Sequence, residues 1–227
     1  MVHRKHTIMK FEDFKLNPLW SDSYKDIYKD FYKEIWYDNE YDRYGITVSK
    51  DDVVVDLGAS IGVFSKYAKY KGASRVYSFE CFGEHFKYLK ENIIPSDNII
   101  PVYGLVSGSE SEMIIGSSIV KSKSISFIKN HYNLKRIIKD FNLNSIDFMK
   151  VDIEGAEYDF ILNANDSDLN KVKKWAIELH VWGMFTNKAD EYFKIMQIIE
   201  KFSKNGYKIY CDHIHKTTCL YMLYATK

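Results

Sequence analysis

Cysteine is scarce in this 227-residue chain: Cys81, Cys211 and Cys219 are odd in number and widely spaced. They cannot form a disulfide framework, which excludes the small stapled secreted class and suits a reducing compartment. Proline and glycine are also sparse, at 3 and 11 residues. With no Gly/Ser-rich linker and no fixed-period repeat, nothing marks a string of separate modules. Neither sign of charge is in excess, with 32 Lys+Arg against 31 Asp+Glu. Composition therefore carries no polyanion-binding signal, and no nucleic-acid partner is expected. No apolar run approaches the roughly 20 residues of a bilayer span. The most apolar stretch, 53–59, is short and contains Asp56. Residues 1–20 are basic but lack the continuous apolar run of a signal peptide. A cytoplasmic location with no membrane partner is the expectation, and oligomeric state stays open.

What is present is apolar and aromatic side chain, 46% and 16% of the residues, enough for one sizeable core. Residues 1–45 are expected to form an N-terminal helical extension and 46–227 the main domain. In 23–36, Tyr24, Ile27, Tyr28, Phe31 and Ile35 recur at three- and four-residue spacing, the stripe of an amphipathic helix. Core packing is the first reading of that stripe, and the wall of a substrate pocket the second. From residue 51 the pattern alternates. Apolar strand-like runs at 53–55, 75–79, 99–103, 146–151 and 175–179 are separated by helical patterns at 63–70, 84–92 and 134–141, and a further helix follows at 188–201. This predicts an α/β protein with three layers, a parallel sheet between helices. Two final runs, 207–211 and 220–225, are close enough to pair as an antiparallel hairpin.

The first strand runs into Asp56-Leu57-Gly58-Ala59-Ser60-Ile61-Gly62, a glycine-bearing turn that opens a helix. Such a turn brings backbone amides close to a ligand. A plain βα turn needs one glycine; two glycines and a strand-tip carboxylate favour a cofactor turn. A dinucleotide site wants Gly-x-Gly-x-x-Gly, but Ser60 replaces its second glycine, and Asp56 would repel a pyrophosphate. A carboxylate there suits a positively charged cofactor such as S-adenosylmethionine. Glu80, at the tip of the second strand, stands where an acidic side chain receives ribose hydroxyls, and Phe82 can flank the adenine. A solvated strand-end charge and a core aromatic are the bland alternatives for these two.

Over roughly residues 41–180 the chain resembles the FkbM-type S-adenosylmethionine-dependent methyltransferases, which have a Rossmann-like class I fold. The resemblance rests on VVVDLGASIGVFSKYA (53–68), RVYSFE (75–80), LVSGSE (105–110), IELH (177–180) and above all IDFMKVDIEGAEYDFI (146–161), with Lys150, Asp152, Glu154, Gly155 and Glu157. It implies a sheet of seven strands with the last strand antiparallel. It also implies that Asp56, Gly58 and Gly62 line the methionine part of the cofactor and Glu80 the ribose; Ala59 and Ser60 of the same turn, and Phe82, are expected at the cofactor with them. Ser60 stands where the family usually has Asn, and Gly108 near a usual Asp.

Ligands in open α/β sheets bind at the carboxyl ends of the strands. Asp152 and Glu154 lie at one such tip, and Glu178 and His180 at the next. A base near an acceptor hydroxyl serves methyl transfer. Asp152 is the first candidate, with His180 and Glu154 beside it; a purely structural role for His180 is equally open. The function expected is O-methylation of a small-molecule or sugar acceptor. The alternatives are a cofactor-binding subunit without activity and a methyltransferase acting on RNA or a nitrogen acceptor. The convergent carboxylates could also hold Mg²⁺, but nothing in the spacing demands a metal and none is assigned. Cys211, His213, His215 and Cys219 match no zinc-site spacing, and a polar turn is the preferred reading there.

Overall fold

Val53–Leu57 carries three consecutive valines with no polar alternation, the composition of a strand covered on both faces. In the computed structural model, which describes residues 9–108, 113–115, 118–120, 130–181, 188–213 and 220–227, it is the interior strand β1, flanked on both sides. The sheet has seven strands: β1, β2 (Arg75–Glu80), β3 (Ile99–Tyr103), β4 (Ile146–Val151), β5 (Val172–His180), β6 (Lys208–His213) and β7 (Leu220–Thr226). Their spatial order is β3-β2-β1-β4-β5-β7-β6. All neighbours run parallel except β7, which lies antiparallel between β5 and β6. β5 begins earlier than its apolar run suggests, because Ile146 of β4 pairs with Val172. The strand order reverses direction between β1 and β4, and such a switch point opens a crevice at the carboxyl ends.

The helices are α1 (Asp22–Trp36), α2 (Val63–Tyr70), α3 (Gly83–Asn92), α4 (Leu134–Asp140), α5 (Glu157–Leu162), α6 (Asp166–Leu169) and α7 (Lys188–Lys204). Alternation along β1 feeds two cores: Val55 and Leu57 pack with Phe79, Met149, Phe160 and Trp175, and Val54 packs with Phe64, Phe148 and Tyr224 on the other face. The second core also takes Tyr28, Tyr32 and Ile35 of α1, together with Tyr41 and Ile46. Residues before 46 thus complete one helical layer. α1 starts where Ser21 caps it, its hydroxyl accepting from the Tyr24 N–H at 3.3 Å. Trp20 stacks flat on Tyr28 with ring centroids 5.0 Å apart. Among the described residues no helix is long and apolar enough to cross a membrane.

Candidate active site

The turn after β1 is held against the tip of β4. Gly58 has φ +77°, and a Cβ there would sit 1.7 Å from the Asp152 carbonyl oxygen, so only glycine fits. Ser60 is also left-handed, at φ +49°, a conformation Asn tolerates better than serine. That twist aims the Ser60 N–H at Oε2 of Glu80, 2.8 Å away, while the Phe82 N–H donates to Oε1 at 2.7 Å. Glu80 is 5% exposed. Burial pushes its pKa up to about 7, against the pull of the N–H groups of Phe82 and Ser60.

Gly58, Ala59, Ser60, Glu80 and Phe82 line one cavity of about 290 Å³. The Glu80 end of this cavity could hold the ribose of S-adenosylmethionine: each oxygen of Glu80 is fixed by one N–H and keeps acceptor capacity for a hydroxyl. Phe82, 48% exposed, offers an uncovered ring beside it.

Two residues expected at the cofactor are placed elsewhere. Asp56 has no exposed surface and is not in the cavity wall. Strand alternation turns it into the second core, where Oδ2 accepts from the Ser65 hydroxyl at 2.6 Å and Oδ1 pairs with Lys150 Nζ at 3.4 Å. Burial raises its pKa against the pull of Lys150 and the Ser65 hydroxyl, its Oδ1 makes no hydrogen bond, and it reaches the cavity only through Lys150. Gly62, at φ +95°, caps α2 behind the wall, where a Cβ would press on Leu89. Gly108 has no room for any side chain, since a Cβ would lie 2.0 Å from the Asp159 carbonyl oxygen.

The run after β4 is built around Glu157. Its fully buried carboxylate accepts from the Ile153 N–H at 2.9 Å and the Gly155 N–H at 3.0 and 3.1 Å. Glu154 and Gly155 take φ +57° and +102° to close that loop. Asp152 and Glu154 are thereby displayed into the cavity. Lys150 reaches from below, 2.8 Å from the Gly58 carbonyl oxygen and 3.2 Å from Asp152 Oδ2. Burial opposes its charge, but Asp152 and Asp56 outweigh that and hold it protonated.

His180 lies behind this wall, 5% exposed. Its Nδ1 is 3.1 Å from Glu157 Oε1, and its Nε2 faces Glu178 at 3.7 Å, Glu154 at 3.9 Å and Asp152 at 4.0 Å. Burial disfavours the imidazolium, yet Glu157, Glu178 and Asp152 together outweigh it and raise the pKa well above the usual histidine value. Asp152, Glu178 and His180 are also the described residues whose donor atoms cluster closely enough for a metal ion, within 4.8 Å of one another. In this arrangement Lys150 and the imidazolium already supply positive charge to the carboxylates. Of the cysteine and histidine set, Cys211 and His213 lie on β6, while His215 and Cys219 fall outside the described residues.

Two cavity residues carried no signal of function in the sequence. Tyr41, 4% exposed, donates its hydroxyl to Glu178 Oε2 at 2.9 Å and Asp152 Oδ2 at 3.3 Å. Glu40, 7% exposed, stands in the same wall. Both lie in the irregular segment after α1, where no periodicity flags a role. All five residues of the α1 stripe line the cavity: Tyr28 and Ile35 are also buried in the second core, while Tyr24, Ile27 and Phe31 stay partly exposed. Core packing and pocket wall are both served by one helix.

Comparison with known proteins agrees with this construction. A curated relative, the AMB antimetabolite synthetase AmbE of Pseudomonas aeruginosa, is 25% identical over 191 residues, covering 63% of this chain. The chain spans only 9% of that protein's length. Among solved structures, the Methanococcus jannaschii fibrillarin pre-rRNA processing protein superposes with a TM-score of 0.52 at 16% identity, covering 79% of this chain and 67% of that one. A candidate S-adenosylmethionine-dependent methyltransferase from Listeria monocytogenes gives 0.50 at 13% identity, covering 84% and 98%. Both show the fold. The description "Methyltransferase FkbM domain" matches residues 56–209, well over half of the sequence and every strand tip described above. This chain therefore belongs to the FkbM methyltransferase family, and its cofactor is S-adenosylmethionine.

Proposed function

We propose that the chain transfers a methyl group to a hydroxyl of a small-molecule or sugar acceptor. The observation that carries this reading is that one cavity holds both the Glu80 cradle and the Asp152–Tyr41–Glu178 cluster. When bound, the cofactor supplies an electrophilic methyl on a sulfonium. Asp152 would accept the proton of the acceptor hydroxyl while the methyl passes from sulfur to that oxygen, the sulfur–methyl bond breaking to leave S-adenosylhomocysteine, and Lys150 keeps the carboxylate aimed. Alignment of the acceptor by this rigid floor supplies much of the rate. The imidazolium of His180 steadies the carboxylates from behind, a role consistent with its place outside the cavity wall.

The cavity's charge argues against an RNA acceptor. Glu34, Glu40, Glu80, Asp152, Glu154 and Glu178 face it, and Lys150 is the one lysine or arginine among the described lining residues. Phosphodiester recognition needs the opposite balance. The test is transfer of labelled methyl to a panel of hydroxylated metabolites, repeated with Asp152→Asn. This variant keeps the side chain's shape and removes the proton acceptor, so turnover should fall by ~10² to 10⁴ with cofactor affinity nearly unchanged. Full activity in Asp152→Asn would remove it as the base; cofactor binding without product from any acceptor would favour a subunit with no activity of its own.

A further inference from the structure

α1 presents a second stripe beside its core-facing one. Tyr24, Ile27, Phe31 and Glu34 recur at three, four and three residues, and all line the cavity. Tyr24, Ile27 and Phe31 remain 36%, 44% and 44% exposed, an apolar surface at the mouth. Just past α1 the chain turns back and sets Glu40 in the same wall. The main chain of Glu40 is held: its N–H donates to the Glu34 carbonyl, and its own carbonyl accepts from the Tyr224 hydroxyl. The residue is only 7% exposed, and among the described residues its carboxyl makes no hydrogen bond or ion pair, its oxygens opening on the cavity rather than being sealed in the core.

Acceptor oxygens in a cavity wall with no protein donor are open to a donor that a ligand brings. The charges that act on Glu40 are Glu178, Glu34 and Asp152, all of its own sign, and Arg43, whose guanidinium pairs with Asp212 at 3.5 Å. Burial first and these carboxylates next lift its pKa to about 8. A carboxyl in this position lacks a donor that a ligand can bring, and a cationic donor would also relieve the repulsion among the carboxylates.

Resting on the O-methyltransferase reading, we propose that the acceptor is a hydroxylated amine: its ammonium is received by Glu40, its apolar body lies on Tyr24, Ile27 and Phe31, and its hydroxyl reaches Asp152 and Glu178. The cofactor carries an ammonium too, a second source of the same chemistry. Glu40 is tied to Tyr224 of β7, whereas Glu80 ends β2 on the opposite side of β1 and β4. Glu40 therefore belongs to the acceptor end.

The test is calorimetry on the full chain saturated with S-adenosylhomocysteine. The probes are matched sets: hydroxylated aromatic amines, amino alcohols and amino sugars, each beside a neutral and a carboxylate isostere. At least one amine should bind about tenfold or more tighter than its neutral isostere, the worth of one charge-assisted hydrogen bond. Glu40→Gln should erase that difference and leave S-adenosylhomocysteine affinity unchanged. Phe31→Ala should weaken amine and neutral isostere alike. The proposal is overturned if no amine outbinds its isostere, if a carboxylate binds best, or if Glu40→Gln weakens S-adenosylhomocysteine and spares the amine preference. Failure of the parent chain to bind S-adenosylhomocysteine at all would instead overturn the methyltransferase-site reading beneath it.

Discussion

The hydroxyl of Tyr41 lies 2.9 Å from Oε2 of Glu178, and the same oxygen is 3.3 Å from Oδ2 of Asp152. A side chain from the segment after α1 thus bridges the tips of β4 and β5. One hydroxyl proton serves two carboxylates, and burial, with Asp152 next, pushes the Glu178 pKa up to about 7, so Glu178 can carry the second proton.

Tyr41→Phe keeps the ring beneath Lys150, whose Nζ sits 5.4 Å from its centroid, and removes only the hydroxyl. Because that hydroxyl favours ionised Glu178, its loss should move the acidic limb of the kcat/KM profile up by about one pH unit. An unmoved profile with unchanged thermal stability would show that the bridge does not tune the cluster.

Glu80→Ala removes the carboxylate fixed by the Ser60 and Phe82 N–H groups, which is proposed to receive the ribose. Affinity for S-adenosylhomocysteine, measured by calorimetry, should weaken by roughly 1.5 to 3 kcal/mol, the range for hydrogen bonds to a charged group. A folded variant that binds as tightly as the parent would place the ribose elsewhere.

Asp56→Asn tests the corrected position of that residue. Since Asp56 is buried against Ser65 and Lys150, the variant should lose about 3 kcal/mol of stability, as when one member of a buried ion pair is removed. Chemical denaturation reads this directly. A stable variant with selectively weakened cofactor would restore Asp56 to the ligand.

Stability should also fall as pH rises. Glu80 and Glu178 are raised to about 7 and Glu40 to about 8 in the folded chain, against about 4.3 for an unfolded glutamate. Between these values the folded state binds more protons than the unfolded one. The stabilisation is fully present below the unfolded value and is lost through the folded ones. The unfolding midpoint of the ligand-free protein should drop by several degrees from about pH 5 to about pH 8, and Glu40→Gln should flatten the slope. A midpoint rising over that window would contradict these shifts.

Local chemistry in the sequence determined the scaffold. The valine run of β1 read as a buried strand, Gly58 marked a close backbone approach, and the Lys150–Glu157 run carried the family resemblance. These features depend on residues a few positions apart, which is why they are legible without a fold. The direction of Asp56 was half legible, since alternation puts it on the face of Val54, but its partners Ser65 and Lys150 are joined to it only by packing. Tyr41 meets Asp152 and Glu178 across separations of 111 and 137 residues, and Glu40 enters the wall because Tyr224 holds its carbonyl. No periodicity encodes such contacts. They arise when α1 docks its Tyr28–Tyr32–Ile35 face on the sheet and the chain after it is forced across the strand tips, so the turns at the ends of β1 and β4 were written locally, while the wall formed by Glu40 and Tyr41 was decided by packing.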